Sequence, residues 1–114
     1  MHELLERDHV NSEDLEILLA ARNNSEADFI LVDVREDMEY NAGHIKGVDM
    51  LKPTSTFQDW AEEFFNNNKD KTVIFTCRTA SRSAQVQNVF RSNGHKRVIN
   101  HAGGIVTYRG EIEA

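Results

Sequence analysis

The only cysteine of this chain, Cys77, lies where an apolar run ends and a short polar loop begins. Residues 71–76 read Lys-Thr-Val-Ile-Phe-Thr, and the cysteine is followed by Arg-Thr-Ala-Ser-Arg-Ser and then by a helical pattern. The N-terminus of a helix presents unpaired N–H groups and partial positive charge, which stabilise anions. Such surroundings lower the pKa of a thiol from about 8.5 to between roughly 3.5 and 7.5. The pattern therefore predicts a reactive thiolate rather than a buried structural cysteine.

The two arginines of the loop strengthen this interpretation. Four residues separate Cys77 from Arg82, and inward-facing backbone N–H groups between them would form a small concave anion site around the sulfur. Arg82, at the far end, can place its planar guanidinium over an oxyanion. Arg78 either steers substrates or only adds solubility. Ser81 and Ser83 are predicted to cap the helix that follows.

Composition limits the classes of function. The chain has 114 residues and a formal net charge of −6, which predicts one globular domain spanning residues 1–114 and argues against nucleic-acid binding. No apolar stretch approaches the roughly 18 residues that a membrane helix needs, and the N-terminus lacks the pattern of a signal peptide. One cysteine forms no internal disulfide and offers no cysteine pair for zinc. We expect a cytoplasmic protein that uses no metal or organic cofactor.

Short apolar runs alternate with helical patterns along the chain. The predicted strands cover residues 28–34, 47–51, 71–76 and 97–100. The predicted helices cover residues 11–22, a short turn at 36–41, the segment from 55 to 65 and the segment from the cysteine loop to Asn93-Gly94, with a last helical turn after Gly103-Gly104. This alternation is typical of an α/β domain with a mainly parallel sheet, in which ligands bind beyond the carboxyl ends of the strands. Cys77 lies at such an end.

The third helical segment has two features of its own. Ser55 and Gln58 have the spacing of a capping box. Spacing along a helix also places five apolar residues on one face, which we assign to the core: Phe57, Trp60, Ala61, Phe64 and Phe65.

The loop from Cys77 to Arg82 resembles the active-site loop of rhodanese-type sulfurtransferases, and two further segments match that family in the right order. Residues 33–47, Asp-Val-Arg-Glu-Asp-Met-Glu-Tyr-Asn-Ala-Gly-His-Ile-Lys-Gly, are similar to its Asp-Val-Arg … Gly-His-Ile-x-Gly signature. Gly103-Gly104-Ile105 followed by Tyr108 is similar to its C-terminal Gly-Gly-Ile-x-x-Trp signature. Together the three segments lie within residues 10 to 110, nearly the whole chain.

The resemblance implies a rhodanese-like α/β fold, with a five-stranded, mainly parallel sheet flanked by helices on both faces. It implies that Cys77 accepts a sulfane sulfur as a persulfide. It further implies that the backbone of Arg78, Thr79, Ala80, Ser81 and Arg82 holds this sulfur, while the Arg82 side chain engages an oxyanionic donor.

Other matching residues are assigned to the fold rather than to the reaction. By the same resemblance, Asp33, Arg35, Gly43 and His44 belong to structural signatures. We expect His44 to fix a turn by hydrogen bonding. We expect Arg35 to pair with a nearby carboxylate inside the fold.

Three residues depart from the family pattern. Ala80 stands where many members have glycine, which predicts a stiffer loop or a smaller cavity. Tyr108 replaces a tryptophan, which affects packing more than chemistry. His101 takes a position that is often aliphatic, and is either on the rim of the site or a partly exposed surface histidine.

The spacing in the loop bears on the reaction class. Related cysteine-dependent phosphatases have one residue more between cysteine and arginine, so the shorter loop here fits a phosphate poorly and favours sulfur transfer. The predicted mechanism is double displacement: the Cys77 thiolate takes the outer sulfur of thiosulfate or a similar donor, and an external acceptor (cyanide, a thiol or a protein) removes it. A module that only carries persulfide sulfur to a partner protein is the second reading, and a phosphatase the third. The sequence identifies neither the physiological donor and acceptor nor the oligomeric state.

Overall fold

Five short strands form an all-parallel sheet at the centre of the computed structural model, which describes residues 2–114. The strands are β1 (His9–Val10), β2 (Ile30–Asp33), β4 (Met50–Leu51), β5 (Val73–Thr76) and β6 (Val98–His101), and their order across the sheet is β1-β6-β5-β2-β4. Two further strands, β3 (His44–Ile45) and β7 (Ile112–Glu113), pair antiparallel in a separate ribbon. The five-stranded parallel sheet expected from the sequence is confirmed.

Helices cover both faces of the sheet, as expected. They are α1 (Ser12–Asn23), α2 (Asp37–Ala42), α3 (Phe57–Asn68) and α4 (Ser81–Ser92). Asn11 begins α1 with a capping box: its side-chain oxygen accepts from the Asp14 N–H at 2.7 Å, and the Asp14 carboxylate accepts from the Asn11 N–H at 3.1 Å. Asn93 and Gly94 follow the C-terminus of α4 and end that helix, and Gly94 lies in the left-handed region at φ +98°.

Successive side chains of each strand point to opposite faces of the sheet, and this divides the core in two. On one face, Leu31, Ile74 and Ile99 pack with leucines of α1. On the other face, their neighbours Val32, Phe75 and Val98 pack with side chains of α3 and α4. The four-residue strands β2, β5 and β6 are therefore buried on both faces, which explains their largely apolar sequence.

The predicted aromatic face of α3 is confirmed as core. Trp60 and Phe64 are buried, and Phe57, Ala61 and Phe65 pack partly buried against the same cluster. The predicted capping box at Ser55 is wrong, because a 3-10 turn over Thr54–Thr56 precedes the helix and the Ser55 side chain hydrogen-bonds to Glu36 instead.

The register aligns the ends of β2, β5 and β6. Asp33 lies opposite Thr76, and Phe75 lies opposite Asn100. Because the strands are parallel, the segments that leave them meet at one edge of the sheet: α2 after β2, the cysteine loop after β5 and the Gly103-Gly104 segment after β6. No helix among residues 2–114 has the length and apolarity needed to cross a membrane.

Arg35 pairs inside the fold, as expected. Its guanidinium donates to both carboxylate oxygens of Asp33 at 2.8–3.1 Å and to the Gly43 carbonyl at 2.8 Å. Arg35 is 5% exposed and Asp33 1%. This pair joins the end of β2 to the start of β3, so it fixes the segment that carries α2.

We predict that Arg35→Met lowers the free energy of unfolding by about 3–5 kcal/mol, because it leaves the buried Asp33 carboxylate without its partner. Urea denaturation measures this loss. Arg7→Met is the matched control: Arg7 pairs with Asp14 at 3.4 Å but is 57% exposed, so its loss costs within about 1 kcal/mol. Equal losses in the two variants would contradict the prediction.

Candidate active site

The Cys77 sulfur lies inside the curve of the loop that joins β5 to α4, and the cysteine is 1% exposed. The backbone N–H of Ala80 donates to Sγ at 3.1 Å and that of Ser83 at 3.4 Å. The Ser83 hydroxyl lies 3.3 Å from Sγ. Two backbone N–H groups therefore donate to the sulfur, and a hydroxyl lies within hydrogen-bond distance of it.

These contacts set the charge state of the thiol. Burial by itself raises the pKa of Cys77, but hydrogen bonds from the Ser83 side chain and from the backbone of Ser83, Thr79 and Ala80 outweigh it, and the net shift is downward. A lower pKa increases the fraction of thiolate, which is the nucleophilic form. The geometry thus fits a nucleophile rather than an inert buried thiol.

Ser83 is a residue whose role the sequence analysis missed. Neither Ser81 nor Ser83 caps α4: the N-cap residue is Ala80, which makes no side-chain capping bond. Ser83 instead places its hydroxyl oxygen 3.3 Å from the sulfur, 2.5 Å from Asn100 Oδ1 and 3.1 Å from the Ala80 carbonyl, so its single proton is donated to one of these three acceptors at a time. The available signal was its position at the third residue of the helix, facing back toward the start of the loop.

Ala80 takes a conformation that favours glycine. Its φ is +87°, in the left-handed region, where an L-residue with a Cβ is strained by roughly 1–2 kcal/mol. This turn directs the chain into α4, whose third residue, Ser83, then has its N–H 3.4 Å from the sulfur. The strain explains why the glycine-to-alanine departure at this position matters for the shape of the loop.

The segment after β6 supports the loop from the side. The Ile105 N–H donates to the Cys77 carbonyl at 2.9 Å, and the Val106 N–H donates to the Arg78 carbonyl at 3.2 Å. A Cβ placed on Gly104 would lie 2.3 Å from the Arg78 carbonyl oxygen. Only glycine at this position allows the two backbones to approach so closely.

Arg82 lies beside the loop, paired with a carboxylate from α2. Its two terminal nitrogens donate to Glu39 Oε1 at 2.6 Å and Oε2 at 2.9 Å. This pairing lowers the pKa of Glu39 from 4.5 to about 2 and raises that of Arg82. The contribution of the pair to stability is therefore present above pH 4.5 and is lost as the pH falls toward 2.

Glu39 is the second residue that the sequence analysis missed. The Glu36-x-x-Glu39 spacing was a signal, since Glu39 closes a capping box by accepting from the Glu36 N–H at 3.0 Å.

Arg78, next to the cysteine, is exposed and makes no ion pair within residues 2–114. Thr79 and Ser81 are also exposed, so the loop's outer surface is open to solvent.

The prediction that His101 lies on the rim or on the surface is wrong. His101 has 0% exposure and lies beneath the loop. Its Nδ1 is 2.8 Å from Thr76 Oγ1, and its Nε2 is 2.8 Å from Ser12 Oγ. Burial lowers its pKa to about 4, so the ring is neutral at neutral pH. The ends of β5 and β6 and the start of α1 enclose it, which leaves it no path to substrate.

The histidine of the Gly-His-Ile segment has the structural role that we expected. His44 Nδ1 lies 3.1 Å from the Tyr40 carbonyl, and the two rings stack with centroids 3.8 Å apart. Tyr108 packs half-buried against the core, with its ring edge-to-face to that of His101. No group of three histidine, cysteine, aspartate or glutamate side chains within residues 2–114 is arranged to hold a metal ion.

Ser83→Ala should raise the pKa of Cys77, because it removes the hydroxyl that most favours the thiolate. The pH dependence of alkylation by iodoacetamide measures this, and its midpoint should move to higher pH. Ser92→Ala, at the exposed far end of α4, should leave the midpoint unchanged. An unmoved midpoint in Ser83→Ala would show that the hydroxyl does not stabilise the thiolate.

Gly104→Ala should displace the loop and slow alkylation of Cys77 on the order of tenfold, since the new Cβ overlaps the Arg78 carbonyl. Gly94→Ala is the matched control: it has a positive φ of +98° but nothing within 4 Å of its Cβ. That variant should lose about 1 kcal/mol of stability and keep the alkylation rate. Equal rates in the two variants would contradict the role given to Gly104.

Comparison with known proteins agrees with this arrangement. A family model for the rhodanese-like domain matches residues 14–111. A tRNA uridine(34) hydroxylase from Acinetobacter baylyi is 34% identical over 93 residues, covering 79% of this chain and 29% of that protein. The protein YqhL of Bacillus subtilis is 33% identical over 84 residues, covering 74% of this chain and 64% of its own length. The chain thus spans less than two thirds of the length of either relative.

A solved structure extends the comparison to the whole fold. The crystal structure of a rhodanese-like domain protein from Staphylococcus aureus superposes with a TM-score of 0.75 at 26% identity, covering 94% of this chain and 97% of that one. The fold, the three sequence segments and the family match therefore agree. The chain belongs to the rhodanese-like domain family, a family related to sulfur transfer.

Proposed function

We propose that this chain transfers sulfane sulfur through a persulfide on Cys77. The observation that carries the proposal is the convergence of the Ala80 N–H, the Ser83 N–H and the Ser83 hydroxyl on one sulfur, within 3.1–3.4 Å. These donors lower the pKa of the thiol and would equally stabilise the negative charge of a persulfide. The family to which the chain belongs supports the same chemistry.

The reaction consists of two displacements at sulfur. The Cys77 thiolate attacks the outer sulfur of thiosulfate, a new S–S bond forms, and the S–S bond of the donor breaks as sulfite leaves with the electron pair. An acceptor nucleophile then attacks the outer sulfur of the persulfide and regenerates the thiolate. Cyanide leaves as thiocyanate by this route. Charge and atoms balance in both steps, and no external oxidant or reductant is consumed.

The acceptor lies outside these 114 residues, because the chain has no second cysteine to receive the sulfur. A small thiol, cyanide or a protein thiol has the required nucleophilicity. A chain that passes sulfur only to a protein partner would form the same persulfide but turn over slowly with cyanide.

Incubation with thiosulfate should increase the mass of the intact protein by one sulfur atom, and cyanide should reverse the gain with release of thiocyanate. Intact-mass spectrometry and thiocyanate colorimetry measure the two steps. The persulfide forms because the loop stabilises negative charge on the outer sulfur as it does on Sγ.

Cys77→Ser is the control, and it should show neither the mass gain nor thiocyanate. A mass gain that persists in this variant would overturn the proposal, as would the lack of any gain in the native chain with thiosulfate and other sulfane donors. Hydrolysis of an aryl phosphate faster than sulfur transfer would instead support a phosphatase. Rapid loading with slow discharge to cyanide would indicate the carrier function.

A further inference from the structure

The Arg82 guanidinium, whose charge interacts with that of Cys77, is already paired with a carboxylate. Both terminal nitrogens of Arg82 are committed to the two carboxylate oxygens of Glu39, a bidentate pair in which each side chain is 29% exposed. Arg82 is near enough to Cys77 for the two charges to interact. A carboxylate therefore occupies the edge of the guanidinium that carries both terminal nitrogens, and its negative charge lies beside any donor anion that approaches Arg82.

The position of Glu39 is itself fixed. Its Oε1 accepts from the Glu36 N–H at 3.0 Å, within the capping box of α2. The carboxylate of Glu36 is held in turn by Ser55, through its backbone N–H at 3.2 Å and its hydroxyl. Since both acidic side chains are anchored, Glu39 is held in place to neutralise Arg82 rather than meeting it by chance.

The charges beside the loop nearly cancel. Arg78 and Arg82 contribute two positive charges, and Glu36 and Glu39 contribute two negative charges, both of which act on Arg82. Arg35, whose charge also acts on Glu39, is already neutralised by Asp33. The chain as a whole carries a formal charge of −6. A compact dianion gains little attraction in such a setting, and it is repelled by a nearby carboxylate.

We propose that Glu39, by neutralising Arg82, sets the donor specificity of the site in favour of monoanionic sulfane donors over the dianion thiosulfate. Thiosulfonates and alkyl persulfides are donors of the favoured class, because each carries one negative charge at the reacting end. This inference rests on the proposed sulfur transfer. Glu39 acts through Arg82 and is a positioning residue.

The chemistry is the same for both donor classes. With a thiosulfonate, the Cys77 thiolate forms an S–S bond to the terminal sulfur, and the sulfinate leaves with the electron pair. With thiosulfate, the leaving group is sulfite, which carries one more negative charge. The two donors therefore form the same enzyme persulfide and differ at the step that Arg82 and Glu39 influence.

The test compares methanethiosulfonate with thiosulfate as donors, with cyanide as a fixed acceptor, and takes the ratio of their kcat/KM values. Each donor's intrinsic reactivity is the same for every variant, so it cancels when this ratio is compared between variants. Glu39→Gln should shift the preference toward thiosulfate on the order of tenfold, because it restores the full charge of Arg82. The change should lie mainly in the KM for thiosulfate, since a freed cation binds the ground-state dianion as well.

Salt dependence gives a readout that a purely structural role would not change. In the native chain, added salt should leave kcat/KM for thiosulfate unchanged or raise it, because screening weakens the repulsion. In Glu39→Gln, added salt should lower it, because screening then weakens an attraction. Methanethiosulfonate should show a smaller response in both proteins.

Three further variants complete the test. Glu39→Asp keeps the carboxylate and should keep the native donor ratio. Arg82→Gln leaves the carboxylate without its partner and should shift the preference further from thiosulfate. Glu111→Gln removes an exposed carboxylate that pairs with Lys46 at 3.4 Å and should leave the ratio unchanged. If Glu39→Gln fails to fold, the opposite shift in Arg82→Gln still tests the inference.

Failure of this inference is distinguishable from failure of the proposed function. If neither donor loads Cys77 with sulfur, both are overturned. If both donors load it and the donor ratio is the same in the native chain, Glu39→Gln and Arg82→Gln, only the role of Glu39 is overturned. A shift in Glu39→Gln that Glu111→Gln reproduces equally would also overturn it, because overall charge would then be the cause.

Discussion

The conformation of the loop after β5 is the constraint on which the site depends. The sulfur of Cys77 accepts from the Ala80 N–H in the loop, and the left-handed turn at Ala80 directs the chain into α4 so that the Ser83 N–H also reaches Sγ. The loop cannot relax away from this shape, since the segment after β6 holds the carbonyls of Cys77 and Arg78. The absence of a side chain at Gly104 lets that segment come close enough to do so. Strain at one residue is thus retained by backbone contacts at others.

Different groups stabilise the thiolate and interact with the charge of a sulfur donor. Neutral dipoles stabilise the sulfur: two backbone N–H groups and one hydroxyl lie within 3.4 Å of it. They are fixed in place before any reaction, so they cost no reorganisation when charge moves to a second sulfur. The full positive charge of Arg82 is meanwhile offset by Glu39. The thiolate is therefore stabilised without an unpaired Arg82 charge that would attract anions of every kind.

Much of the fold could be predicted from sequence because its signals are local. Continuous apolar runs predicted β2 and β5, helical spacing predicted the buried face of α3, and a helical pattern over residues 11–22 predicted α1. The two-residue strands β1, β3 and β7 were not predicted, because so short a segment shows no periodicity and pairs only through tertiary contacts. The start of α3 was misplaced because a 3-10 turn and a side-chain bond to Glu36 competed with local capping.

The candidate site was likewise predictable only where its residues are close together in sequence. Cys77 and its loop were identified because a strand end, a cysteine and a helix start are adjacent in sequence. Glu39 and Ser83 were missed because their partners are chosen by the fold: α2 brings Glu39 to Arg82 across 43 positions of the chain, and β6 brings Asn100 to Ser83. Sequence order shows which residues surround the sulfur in the loop, but not which charges reach it from other elements.

His101 connects the elements beneath the cysteine loop through buried hydrogen bonds. A neutral imidazole donates from one ring nitrogen and accepts with the other, and here the two nitrogens bridge the hydroxyls of Thr76 and Ser12. Ser12 in turn lies 2.7 Å from Thr107, which follows the segment that supports the loop. The ring thereby joins the residue before Cys77 to α1 and to the supporting segment. An aliphatic side chain at this position would fill the space but leave the buried hydroxyls of Thr76 and Ser12 without this partner. His101 thus has a structural role, linking two hydroxyls through its ring nitrogens. Burial lowers its pKa to about 4, which keeps the ring in the neutral form that this role requires.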